Sequence, residues 1–145
     1  MSQENVAIVR EAVEAFNAGD FETALDRVHP DVEWRTPDVF PDSATYRGPE
    51  GVRGFFQTWL DTFRGFRLHL GKCVPVDEHR VLAGLRVSGE GVESGAGVKS
   101  PEFFQLFEFR DGLLIRTRMF STEGDALEAA GLPTPRPSSG EPRSS

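Results

Sequence analysis

The sequence predicts an α+β domain: a strongly curved sheet packed beneath three N-terminal helices, with a short helix at its C-terminal end. Three observations carry that reading. In three segments up to Phe63 apolar residues recur every three to four positions, the spacing of helices with one buried face. From Phe66 onward the period is two. Asp111-Gly112 separates two alternating runs, and that pair is a strong hairpin signal because both residues tolerate positive φ. Helices first and strands later describe segregated layers, not repeated strand–helix units.

The first helix carries Val6, Val9, Val13 and Phe16 on one stripe and stops at Gly19. Asp20 caps a second helix with Phe21, Ala24, Leu25 and Val28 turned inward, closed by Pro30. His29 then falls at a helix end. Val32, Trp34 and Thr36 alternate with Glu33 and Arg35, which describes a half-buried strand. Residues 37–46 contain Pro37 and Pro41 and no period, so they are expected to be a loop. Pro49 suits the first turn of a third helix, whose apolar face is Val52, Phe55, Phe56, Trp59, Leu60 and Phe63. Phe66, Leu68 and Leu70 open the strand region. Val81, Ala83, Leu85 and Val87 then alternate with Arg80, Leu82, Gly84 and Arg86. A glycine-rich loop over 89–97 precedes the hairpin of residues 103–110 and 113–120. Thr122 caps a last helix containing Ala126, Leu127 and Ala130, with Gly131-Leu132 as its stop. Residues 1–132 thus form one domain, and the Pro/Ser-rich stretch 133–145 is expected to be disordered.

Composition narrows the function. The 145 residues include twelve Phe and two Trp, enough for a core without staples. A net charge of −7 argues against a nucleic-acid partner, which needs a basic face. No apolar run approaches the roughly 20 residues needed to span a membrane, and no signal peptide is visible at the N-terminus. Cys73 is alone, so an intrachain disulfide is excluded and a cytoplasmic setting is expected. Arg far outnumbers Lys, a bias we read as GC-rich bacterial coding. His29, His69 and His79 lack ligand spacing and Cys73 has no partner nearby, so neither a metal nor a cofactor is expected. The run Phe103-Phe104-Gln105-Leu106-Phe107 is apolar on both faces. Helices on one side only would leave Phe104 and Leu106 in water, so a homodimer is expected; the competing reading is that the C-terminal helix or long neighbouring side chains cover them.

Four segments resemble the SnoaL-like branch of the nuclear transport factor 2-like superfamily. They are Glu14-Ala15-Phe16-Asn17-Ala18-Gly19-Asp20, Pro30-Asp31-Val32-Glu33-Trp34, Tyr46-Arg47-Gly48-Pro49-Glu50-Gly51-Val52 and Phe107-Glu108-Phe109-Arg110-Asp111-Gly112. The resemblance covers residues 3 to 132 and implies a bent sheet wrapped by three helices into a cone with a central pocket. It also implies a choice among isomerase, cyclase, epoxide hydrolase, dehydratase and non-catalytic binding, since fold does not give function. Many members are dimers. In ketosteroid isomerases of that superfamily an Asp is the base, and a Tyr with a protonated Asp holds the oxyanion. By resemblance those positions fall on Thr36, Ala12 and Gln105. A threonine is no base near neutral pH, and a glutamine donates without titrating. The acid that cyclases and epoxide hydrolases place on the last strand falls on Met119.

Alternation then puts Trp34, Thr36, Gln105, Phe107, Thr117 and Met119 on the pocket wall, with Phe55 and Trp59 facing them from the third helix. Such a wall suits a flat, mostly apolar ligand with one polar edge; the same residues also read as plain core. Asp38, two residues beyond Thr36, is the general-base candidate, and Gln105 the group at the substrate oxygen. Asp38 also reads as a solvated loop residue. Arg116 and Arg118 belong with Glu108 on the outer face, as cross-strand ion pairs or dimer contacts. Three functions follow: an enzyme acting on a small hydrophobic carbonyl compound, a binding protein for one, or a dimerisation module with a vestigial cavity.

Overall fold

The computed structural model describes residues 2–35 and 45–133. Helix α1 (Ser2–Asn17) ends as the glycine signal requires. Gly19 has φ +80°, its N–H donates to the Phe16 carbonyl (3.0 Å), and the Asp20 N–H donates to that of Ala15 (2.9 Å). Asp20 accepts from the Thr23 N–H at 3.2 Å and so caps α2 (Phe21–Ala24).

Helix α2 is shorter than its apolar spacing predicts. Strand β1 (Val28–Arg35) has already begun at Val28, so Pro30 sits within a strand. The cause lies far off in sequence: β1 runs parallel to β7 (Leu113–Phe120), and the Leu114 N–H donates to the Arg27 carbonyl at 2.7 Å. That pairing outweighs local helix propensity. His29 is therefore not at a helix end; its Nδ1 accepts from the Asp31 N–H at 2.9 Å.

Residues 45–46 also depart from the expected loop, because β2 (Thr45–Arg47) pairs with β1, Tyr46 opposite Trp34. Helix α3 (Gly48–Thr62) holds Pro49 in its first turn. It stops one residue short of Phe63, which opens β3 (Phe63–Pro75). In β3 the register shifts between Arg64 and Arg67, where Gly65 has φ +63°, and again between Leu70 and Cys73. Such bulges bend a strand. The outer edge of β3 is met by Asn17, whose side-chain amide donates to the Leu68 carbonyl and accepts from its N–H, both at 2.9 Å.

Strands β4 (Arg80–Gly91), β5 (Gly97–Lys99) and β6 (Phe103–Arg110) complete the sheet, in the order β2-β1-β7-β6-β4-β3 with β5 beside β4. Asp111 (φ +54°) and Gly112 (φ +77°) make the β6–β7 turn. Every pairing except β1–β7 is antiparallel. The sheet is thus mixed, curved and unclosed.

Its two faces have different covers. Val81, Ala83, Leu85, Phe107 and Phe109 face α1 and α3 and belong to the main core. Leu82, Phe104 and Leu106 face the other way, onto Ala126 of α4 (Glu123–Ala129) and Ala130 at its C-cap. Phe104 and Leu106 are 8% and 6% exposed in the single chain. The C-terminal helix therefore does the covering that a second subunit was expected to do, and the apolar argument for a homodimer loses its footing. Thr122 caps α4 (3.1 Å to the Asp125 N–H) and a Gly131-Leu132 stop ends it. A Lys72–Glu123 ion pair ties it to β3.

Candidate functional site

A cavity of about 300 Å³ lies between the inner face of the sheet and the helices. Val9, Ala12, Val13 and Phe16 of α1 form one wall, and Phe55, Phe56 and Trp59 of α3 form another. The floor is sheet: Trp34 from β1, Leu85 from β4, Gln105 and Phe107 from β6, Met119 from β7. Exposed Pro101 and Ser121 mark where the lining meets solvent at one end, and exposed Arg27 does so beside Leu25, Phe109 and Leu114.

Register explains the floor. Gln105 stands opposite Ala83 and Met119, and Phe107 opposite Val81 and Thr117. Thr117 in turn pairs with Trp34 across β1–β7. One face thus collects Trp34, Thr117 and Phe107 in one row and Gln105 with Met119 in the next. Six of the residues singled out by sequence meet here: Trp34, Phe55, Trp59, Gln105, Phe107 and Met119. Thr117 shares the face but not the cavity surface; it is fully buried, and its Oγ1 accepts from Gln105 Nε2 at 2.8 Å. Thr36 and Asp38 lie outside the described residues.

The aromatic wall is continuous. Trp34 lies 5.7 Å from Phe55 and, nearly perpendicular, 5.4 Å from Phe56. Trp59 stacks on Phe66 (5.4 Å) and Phe63 (5.7 Å) where α3 passes into β3. Sequence reasoning missed the α1 contribution and Phe66. Each was visible as an apolar position, but periodicity marks which side is buried, not where the burial leaves a gap.

Charge stays at the margins. The Arg27 side chain is 55% exposed. Glu102 belongs to the lining, yet its Oε2 comes within 2.6 Å of where a Cβ on Gly84 would stand, on the α4 side of the sheet. Arg116 bridges Glu108 (3.2 Å) and Glu33 (3.7 Å), and Arg47 reaches Glu33 at 2.8 Å, all on the outer face. The Arg47 hydrogen bond and charge hold the Glu33 carboxyl below its ordinary value. Burial pushes the Cys73 thiol above its ordinary value, against a weaker opposing pull from Arg10, which works against the thiolate form. Among the described residues the Trp34 Nε1 has no partner, and it is sealed from solvent. An acceptor needs the same clearance as a water-sized sphere, so no ligand atom reaches that nitrogen with the side chains as they stand.

Residues 9–117 match the SnoaL-like domain, three quarters of the chain. The chain belongs to the SnoaL-like family. Among solved structures it is similar to Bal32a from a soil-derived mobile gene cassette (25% identity, TM-score 0.74, covering 81% of this chain and 88% of that one). It is also similar to TerC co-crystallised with polyporic acid (21%, 0.71, covering 88% and 98%). A third is a SnoaL-like polyketide cyclase from Jannaschia sp. CCS1 (18%, 0.71, covering 92% and 95%). The last two likenesses establish a shared fold. Among curated proteins none matches significantly. The SnoaL-like chain accordingly has the superfamily's cone, and its own residues must indicate what the cone does.

Proposed function

We propose that this chain binds one small, flat, mostly apolar molecule in the cavity beneath α1 and α3. The observation that supports this best is the cavity itself. Protein interiors leave few voids larger than a water molecule, whereas about 300 Å³ stands open here within an aromatic and aliphatic lining. That volume meets the lower end of small-molecule pockets, roughly 300–1,000 Å³. Trp34, Phe55, Trp59, Phe107 and Met119 supply the apolar contacts, Gln105 the polar one, with Thr117 behind it and Thr36 as a further wall residue. An ionic ligand would lose its water without a partner on the floor, so the molecule is neutral. The likeness to TerC crystallised with polyporic acid and to a polyketide cyclase points the same way. A thermal-shift panel of steroids, terpenoids and aromatic polyketides, followed by calorimetry, tests it. At least one class should raise Tm and release or absorb heat at a 1:1 ratio. Silence across the panel would leave the side chains as core filling.

One observation favours catalysis as the second reading: Asp38 follows cavity-lining Trp34 by four residues. There the chain would be an isomerase, dehydratase or cyclase on a hydrophobic carbonyl compound, with Asp38 as base and Gln105 at the substrate oxygen. Asp38→Asn should abolish turnover and keep binding; unchanged turnover removes Asp38 from the mechanism. A homodimer through the outer face that α4 leaves open, and a cytoplasmic location, belong to the same proposal. A solution mass of 16.0 kDa, one chain, would remove the dimer. No helix among the described residues is long and apolar enough to cross a membrane.

A further inference from the structure

We infer that Gln105 reads the bound molecule as a hydrogen-bond acceptor, and that Thr117 is the positioning residue that makes it one. The inference rests on the binding reading above and names the ligand's polar edge: a hydroxyl or N–H donor on a flat apolar skeleton, such as a phenol or an enol. The geometry is specific. Gln105 is 3% exposed and Thr117 fully buried, and Gln105 Nε2 donates to Thr117 Oγ1 at 2.8 Å. An amide held by its nitrogen turns its carbonyl oxygen the other way. No donor among the described residues meets that Oε1. Gln105 lines the cavity, and with its nitrogen held by Thr117 the carbonyl oxygen is the polar end it has left to offer there.

The neighbours sharpen the selection. Ala83 and Met119 flank Gln105 on the floor and offer no side-chain hydrogen bond of ordinary strength. Thr117 is already engaged beneath it. A ligand that turns an acceptor toward Oε1 sets two lone-pair oxygens against each other in an apolar surround, which costs more than in water. A ligand that turns a donor there satisfies the amide oxygen. The observed bond to Thr117 holds the amide by its nitrogen; without that hydroxyl the amide is free to rotate and present either end.

Two probes of matched shape separate the cases: 2-naphthol, which donates, and 2-methoxynaphthalene, which only accepts. Binding is read by calorimetry on the full chain. The native protein should hold 2-naphthol about tenfold tighter, equivalent to about 1.4 kcal/mol. Thr117→Val keeps the side-chain shape and should bring the two probes to within about twofold of each other. Gln105→Leu should lose affinity for 2-naphthol and leave 2-methoxynaphthalene unchanged or tighter. Thermal unfolding of each variant confirms that it is folded, and the ratio of the two probes within one variant cancels any general loosening of the pocket. Equal binding of both probes by the native protein, or a preference for the ether, overturns the inference and leaves the binding reading standing. Failure of both probes to bind, together with a silent ligand panel, overturns both.

Discussion

Asn17 and Gln105 show how single side chains set the geometry of this domain. Asn17 ends α1, and its amide does for the edge of β3 what a neighbouring strand would do, meeting both the N–H and the C=O of Leu68. Asn17→Ala should cost about 1–2 kcal/mol, the worth of two part-buried hydrogen bonds, measured by urea unfolding. If its stability stays within about 0.5 kcal/mol of the native chain, the range of ordinary surface substitutions, water replaces the amide and the clamp is only apparent. Val32 is fully buried beneath the helices, so Val32→Ala should cost about 2 kcal/mol through lost burial and a residual void.

At the scale of elements, the β3–β4 turn and the α1 stop are local devices. Asp77 accepts from the backbone N–H groups of His79 (2.8 Å) and Arg80 (2.9 Å) and pairs with the Arg80 guanidinium. Desolvation pushes its carboxyl up, but the His79 hydrogen bond and the Arg80 contacts outweigh it and hold the value below the ordinary 3.8. A carboxyl lowered in the folded state stabilises that state above its unfolded value and ceases to do so as pH falls through the folded one. The stability gap between the native chain and Asp77→Ala should therefore be full at pH 7 and shrink as the pH drops below about 3.8, in urea titrations at a series of pH values. A gap that widens in acid would contradict the assignment.

At the scale of the whole molecule, α4 decides what the sheet presents outward. A helix of seven residues rarely holds by itself; this one is held by Ala126 and Ala130 against Leu82, Phe104 and Leu106. Ala126→Asp should dislodge it, costing about 3 kcal/mol through a buried charge, and should raise the fluorescence of an apolar dye as Phe104 and Leu106 become exposed. Gly124→Asp on the same helix is the control, because a side chain there meets open space. Should Ala126→Asp bind no more dye than that control, another surface covers the patch. Covering by α4 also changes the meaning of the two-faced strand: the apolar patch of Leu82, Phe104 and Leu106 is an internal interface first.

The amino-acid sequence by itself determined the elements whose signals are local. The Gly19 and Gly131 stops, the Asp20 and Thr122 caps, Pro49 in the first turn of α3 and the Asp111-Gly112 turn all stand where the residues put them, because each depends on backbone conformation over a few positions. Alternation likewise put Trp34, Gln105, Phe107 and Met119 on one face, since the pleat has a period of two whatever lies above it. Tertiary structure decided the rest. It drew Val28 into β1 through a parallel partner more than eighty residues away, Leu114. It placed α4 rather than a second chain over Phe104 and Leu106. It also separated Thr117 from Met119, two residues on the same strand face, one sealed against Gln105 and the other beside open space. Periodicity reports direction only. Whether a side chain that points inward meets another atom or a void depends on how far the curved sheet stands from α1 and α3, and no short stretch of sequence holds that distance.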